Sequence, residues 1–295
     1  MKVSYLGPAG TYNEEALLAC LGNPEGRDGS APLGIELAPQ ATIFDAVNAV
    51  ESGAAERGLV PFENSIEGSV RATLDALAFD TSRVMIVGEH DHPIRHSLIA
   101  RRGTGLEDIT VVLSHPQANA QCASFIRETL PQAEVRAMSS TGDAILAVAG
   151  SEQRWAALGS ARAGLAQGCV VLREGVEDAS DNVTRFVWLA AGDVVAESGA
   201  QAPDGWRSTL VFSELGEDRP GALVEALLEF SSRGVNMTRI ESRPLRRGLG
   251  RYLFFADVSG DARYGVTAEA IAALRGKAES VRILGSYRLG AEPPL

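Results

Sequence analysis

Short apolar runs alternate with longer amphipathic stretches through most of the chain. The runs at 3–6, 58–62, 84–87, 97–101, 109–113 and 156–159 are bounded by glycine, proline or polar residues and predict strands. Between them, 12–21, 42–52, 65–78, 116–130 and 141–149 carry helical spacing. In 42–52, for example, Ile43, Phe44, Val47 and Val50 fall on one helical face, with Thr42 placed to cap it. Strand and helix in alternation predict an α/β architecture with a largely parallel sheet.

The pattern changes after residue 191. The segment 192–206, GDVVAESGAQAPDGW, is small, polar and without a period, and predicts a linker. Beyond it come a strand at 208–213, a helix at 220–233, strands at 236–242 and 252–258, a helix at 268–277 and a strand at 281–289. That β-α-β-β-α-β order is the ferredoxin-like split βαβ arrangement. Two domains are therefore expected, 1–191 and 207–295, and a length of 295 residues agrees with that count.

Composition narrows the classes of function. The hydrophobic fraction of 45% and charged fraction of 22% can build a large core without covalent staples. A balance of 38 acids against 27 bases, net −11, argues against nucleic acid or an anionic membrane surface as partner. Cys20, Cys122 and Cys169 are odd in number and widely spaced, which fits neither a disulfide framework nor a zinc pair. The first residues lack the apolar core of a signal peptide, and no run reaches membrane-spanning length, so the cytoplasm is the expected compartment.

Four predicted strand-to-helix junctions in the first domain share one composition: Gly7 to Thr11, Glu63-Asn64-Ser65, Ser114 to Gln117, and Ser139-Ser140-Thr141. Unpaired N–H groups at helix starts favour anions, and in open α/β sheets these turns gather where ligands bind. Together they predict a cleft that holds carboxylates with neutral donors, although each junction alone reads more readily as a helix cap. His90, His92 and His96 lie close in HDHPIRH, but Pro93 interrupts them and the spacing is not that of a helical metal pair. There is no Walker, Rossmann or Gly-x-Ser-x-Gly pattern. On its own, 181–186 reads as a polar turn entering a strand at 186–189.

Seven motifs carry a resemblance to a known family. GPAGTYNEEA (7–16), VPFENSIEGSV (60–70), SHPQANAQC (114–122), SSTGDA (139–144) and DNVTRF (181–186) resemble the motif series of prephenate dehydratases. DRPGALVEAL (218–227) and TRIESRPLR (238–246) resemble the ACT regulatory domain attached to them. The resemblance implies a two-lobed catalytic domain like a type II periplasmic binding protein, with the active site between the lobes. It implies prephenate as substrate, a dicarboxylate that loses its ring hydroxyl and CO₂ to give phenylpyruvate without a metal or organic cofactor. Thr184 would be the residue essential for activity, with Arg185 a cation for a carboxylate or, as the alternative, one partner of a structural ion pair. Thr11, Asn64, Ser65, Ser114, Gln117, Ser139, Thr141 and Phe186 would be cleft residues that bind substrate.

For the ACT domain, the resemblance implies L-phenylalanine bound at a dimer interface by Gly221, Ala222, Leu223 and Val224, with Asn236, Glu241, Ser242, Arg243 and Pro244. A homodimer or homotetramer follows. Asn13 stands where the family usually has serine, and 165–168 lacks an aromatic often found there. No chorismate mutase segment precedes Met1, which predicts a monofunctional enzyme. Arogenate is the nearest rival substrate. A prephenate decarboxylase, a silent amino-acid sensor and a secreted solute-binding protein are more distant rivals, since the TRF motif and ACT segments are intact and no signal peptide is evident.

Overall fold

In the computed structural model, which describes residues 1–22, 34–192, 205–216 and 219–290, the apolar runs of the first domain become strands of two separate sheets. The first sheet has the order β2 (Glu36–Gln40), β1 (Lys2–Leu6), β3 (Arg57–Asn64), β11 (Val183–Ala191), β5 (Val84–Pro93), with the short β4 (Gly68–Ser69) hairpinned onto β3. The second runs β10 (Val170–Glu174), β6 (Ser97–Ala100), β9 (Trp155–Gly159), β7 (Val111–Ser114), β8 (Glu134–Ala137). Helices α1 (Tyr12–Cys20), α2 (Ile43–Glu51) and α3 (Arg71–Asp75) belong to the first lobe. Helices α4 (Pro116–Gln121), α5 (Ala123–Thr129), α6 (Thr141–Ala149) and α7 (Ala161–Ala166) belong to the second. The chain crosses between lobes twice, from β5 to β6 and from β10 back to β11.

Both sheets are mixed, where the alternation predicted a largely parallel one. β1 runs parallel to β2 and β3, and β7 parallel to β8 and β9. The crossing strands are the exceptions. β11 re-enters the first lobe from its far end and so lies antiparallel to β3 and β5, while β6 is antiparallel to β9 and β10.

Local chemistry explains the elements and their departures. Thr42 caps α2 by accepting from the Asp45 N–H at 3.1 Å, and Val47 and Val50 are buried behind it, whereas Phe44 is left half exposed. The helix predicted over 65–78 begins only at Arg71. The Asn64 side-chain oxygen takes the N–H groups of Ile66 and Glu67, both at 3.0 Å, and Gly68 at φ 81° turns the chain back as a hairpin. The helix predicted over 116–130 breaks at Cys122, where the Asp178 carboxylate accepts the Ser124 N–H and caps a new start.

After the second lobe comes the third sheet, in the order β13 (Met237–Pro244), β14 (Tyr252–Ser259), β12 (Trp206–Ser213), β15 (Ser280–Arg288), with α8 (Ala222–Ser231) and α9 (Gly265–Leu274) on one face. This is the expected βαββαβ order. Leu210, Phe212, Phe230, Ala256 and Ile271 fill the layer beneath the helices. The sheet's other face packs on the first lobe: Val211, Leu253, Phe255 and Tyr287 share one core with Phe62, Ile86 and Val187. Each such large apolar side chain contributes about 1.5–3 kcal/mol when fully buried. Gly285 permits the approach, because a Cβ there would overlap the Ile86 carbonyl oxygen. Of the expected linker, residues 193–204 lie outside the described residues. No helix among the described residues is long and apolar enough to cross a membrane.

Candidate functional site

A cleft of about 880 Å³ opens between the lobes, and the expected junctions converge on it. Thr11 comes from the turn after β1, Asn64 from the end of β3, Gln117 from the start of α4, Ser139 and Thr141 from the start of α6, and Thr184 and Phe186 from β11. Gln117 sits behind His115, whose Nδ1 accepts the Gln117 N–H at 3.3 Å. Ser140 caps α6 through the Asp143 N–H at 2.9 Å, and Ser139 donates to the Asp143 carboxylate at 2.5 Å. Hydroxyls and amides make up most of the lining's polar side chains, with the Glu67 and Asp143 carboxylates beside them. Arg71 is its one arginine or lysine among the described residues, and none of the ion pairs among them engages it.

Thr184 is held by an amide. Asn64 Nδ2 donates to Thr184 Oγ1 at 2.9 Å and to Asn182 Oδ1 at 2.7 Å. Asn182 Nδ2 in turn donates to Gln121 Oε1 at 3.2 Å, and His96 Nε2 meets the same oxygen at 3.0 Å. The Tyr12 hydroxyl lies 2.8 Å from His96 Nδ1, so a polar chain runs from Tyr12 to Thr184 across the junction of the lobes. Burial lowers the pKa of His96, which keeps the imidazole neutral. The Tyr12 hydroxyl also donates to the Arg95 carbonyl at 2.7 Å. Burial likewise pushes the Tyr12 hydroxyl up and the Cys122 thiol up to about 12, so neither supplies a charge.

The Asn64 bond has a chemical consequence. It occupies an acceptor position on Thr184 Oγ1 with an N–H, and no acceptor within the described residues takes the hydroxyl proton. That proton is available to a molecule in the cleft.

Three expected site residues lie elsewhere. Ser114 is fully buried and donates to the Leu158 carbonyl at 2.7 Å, bracing β7 against β9. Ser65 lies behind the cleft, where its hydroxyl accepts the Val183 N–H at 3.0 Å and donates to the Asp181 carbonyl at 3.1 Å. Arg185 is the larger departure. Strand alternation sends Thr184 and Phe186 to one face and Arg185 to the other, where it meets Asp257 at 2.6 Å and Glu63 at 2.8 Å. Tyr12, Arg71, His96, Gln121 and Asn182 were not expected as cleft residues. Tyr12, Gln121 and Asn182 lie inside quoted motifs, but only the fold shows which way they point.

In the C-terminal domain, Gly221, Ala222, Leu223 and Val224 line a groove of about 300 Å³ with Leu215, Tyr252 and Phe254. Gly221 has φ 83°, a left-handed conformation that glycine adopts without strain. Asn236, Glu241, Ser242, Arg243 and Pro244 are not among the groove residues. Ser242 pairs with Phe254 on the edge strand, whereas Arg243 is committed to the first lobe through Asp75, at 2.8–3.1 Å.

The prephenate dehydratase family pattern matches residues 3–193, and the ACT domain pattern matches 213–276. A prephenate dehydratase of Mycobacterium marinum is 38% identical, covering 99% of this chain and 91% of its own. Among solved structures, the prephenate dehydratase of Arthrobacter aurescens in complex with L-Phe superposes with a TM-score of 0.86 at 35% identity, covering 100% and 92% of the two chains. A protein described as GqqA, a novel type of quorum quenching acylase, gives 0.82 at 30% identity, covering 98% of each. With its seven motifs, its two lobes and the ACT sheet behind them, the chain belongs to the prephenate dehydratase family.

Proposed function

We propose that the cleft holds prephenate with its ring hydroxyl against Thr184, and that Thr184 is the donor in its conversion to phenylpyruvate. As the C–C bond to the ring carboxylate breaks, its electron pair enters the ring, CO₂ departs, and the C–O bond gives its pair to the leaving hydroxyl. Aromatisation drives the step, and the protein must stabilise charge growing on the departing oxygen. A donor aimed there is worth about 2.7–4 kcal/mol. The bond from Asn64 to Thr184 Oγ1 carries this assignment, because it turns the hydroxyl proton outward. Gln117 and Thr141 offer neutral donors to one carboxylate, and Arg71 offers a permanent charge to the other. No serine, threonine or cysteine of the described cleft is hydrogen-bonded to a histidine, so the site favours dehydration over acyl transfer through an activated nucleophile.

The ACT groove takes L-phenylalanine, and a second copy completes the site along the exposed row of Ile240 and Ser242 on β13, giving at least a homodimer in the cytoplasm. The test is phenylpyruvate formation from prephenate by the wild type and Thr184→Ala, with and without phenylalanine, and arogenate in parallel. Activity lost in the variant and suppressed by phenylalanine is expected. A wild type active on arogenate alone would transfer the assignment to that substrate.

A further inference from the structure

Behind the cleft, where the ACT sheet meets β11, three carboxylates face three guanidiniums. Arg185 Nη2 lies 2.6 Å from Asp257 and 2.8 Å from Glu63, and Glu89 bridges Arg185 at 3.4 Å and Arg207 at 2.5 Å. Asp257 has no exposed surface, and it also accepts from Arg239 at 3.2 Å and Thr209 at 2.8 Å. The Phe62 ring lies under both Arg185 and Arg239, 5.0 and 4.7 Å from their guanidinium carbons.

Two strands connect this cluster to two different sites. On β11, Arg185 adjoins Thr184, whose hydroxyl faces the catalytic cleft. On β14, Asp257 lies three residues from Phe254, which lines the ACT groove with Tyr252. β14 is an inner strand, hydrogen-bonded to β12 and β13 on its two sides, so a shift imposed at the groove end is carried along it. At the far end such a shift must either drag Arg185 or pull apart the buried Asp257–Arg185 pair, which is strongly disfavoured. Packed, ion-paired contacts of this kind hold discrete arrangements rather than deforming continuously.

We infer that Arg185 is a positioning residue for Thr184, and that the Asp257–Arg185 pair is the link by which occupancy of the ACT groove alters the catalytic cleft. The inference rests on the reading of the cleft as a prephenate site and of the groove as a phenylalanine site. It assigns Arg185 no contact with substrate.

The test is Asp257→Asn, which keeps the shape and removes the charge. The ratio of prephenate turnover without and with saturating phenylalanine is expected to fall at least about tenfold relative to wild type, within the usual range of allosteric coupling. Calorimetry should still register phenylalanine binding. Arg185→Lys, which keeps charge but not the planar fork, should retain part of the response, and it serves as the probe if Asp257→Asn does not fold. A merely structural pair would lower the melting temperature and leave the inhibition ratio at its wild-type value, and that result overturns the coupling. A wild type that ignores prephenate or phenylalanine would instead overturn the reading beneath it.

Discussion

The two faces of β11 are built on opposite principles. Toward the cleft, Thr184 sits among amides and hydroxyls, connected by neutral hydrogen bonds to Asn64, Asn182, Gln121 and His96. Toward the ACT sheet, one residue along, Arg185 sits in a set of ion pairs with buried Asp257 and Glu89 and the part-exposed Glu63. Neutral donors leave an anionic substrate its share of hydrogen bonds without competing counter-ions. Buried charges do the reverse, because each is committed to a partner and cannot be released cheaply. The strand thus presents an open set of donors on one side and a fixed mechanical attachment on the other.

The sharpest way to break the cleft face is Thr184→Ala. Loss of the donor should lower kcat by about 10²–10³-fold while the melting temperature hardly moves. Thr184→Ser, which keeps the hydroxyl, should recover most of that rate. Breaking the other face has the opposite signature. Asp257→Ala removes the buried counter-ion that Arg185 and Arg239 share and should cost about 3–5 kcal/mol of stability, read as a shift of the urea midpoint.

The charged face should also respond to acid. Burial alone would raise the Asp257 carboxyl, but the Arg185 and Arg239 guanidiniums outweigh it and hold the group below the usual carboxylate range. A depressed folded pKa contributes stability that is complete above the unfolded value and lost as pH falls through the folded one. The stability gap between wild type and Asp257→Asn should therefore be constant near neutrality and close only below about pH 4. A gap that closed near pH 6 would point to a histidine instead.

The sequence made the cleft legible where chemistry is local. Thr11, Asn64, Gln117 and Ser139 lie at ends of elements, and their small polar side chains mark those ends whatever the tertiary fold. Most elements that went unnoticed carry little apolar signal: β8 is exposed at every residue, β2 carries Pro39, and α7 is a six-residue run rich in alanine, while β10, with Val170, Val171 and Leu172, is the exception. Arg185 was misplaced for a different reason. The motif DNVTRF names neighbours in sequence, but in a strand neighbours face opposite ways, and the partner that claims Arg185 is 72 residues away in another domain. Strand alternation turns Arg185 away from Thr184, but only the ACT sheet supplies Asp257 as its partner.

Between these extremes lies Asn64, which touches Thr184 directly but carries no charge. Asn64→Ala should lower kcat by about tenfold, the value of one oriented hydrogen bond at about 1–1.5 kcal/mol, with KM little changed. The smallest effect is expected at Arg71, which separates binding from chemistry. Its guanidinium has no partner among the described residues, it lies at the rim, and solvent screens it. Arg71→Gln should raise KM for prephenate by about five- to tenfold, worth roughly 1 kcal/mol, and leave kcat within a factor of two. Raising the salt concentration should raise KM in the wild type and do little in the variant. If kcat fell instead, Arg71 would be acting on the departing groups rather than on a resting carboxylate, and the cleft face would no longer be the neutral one.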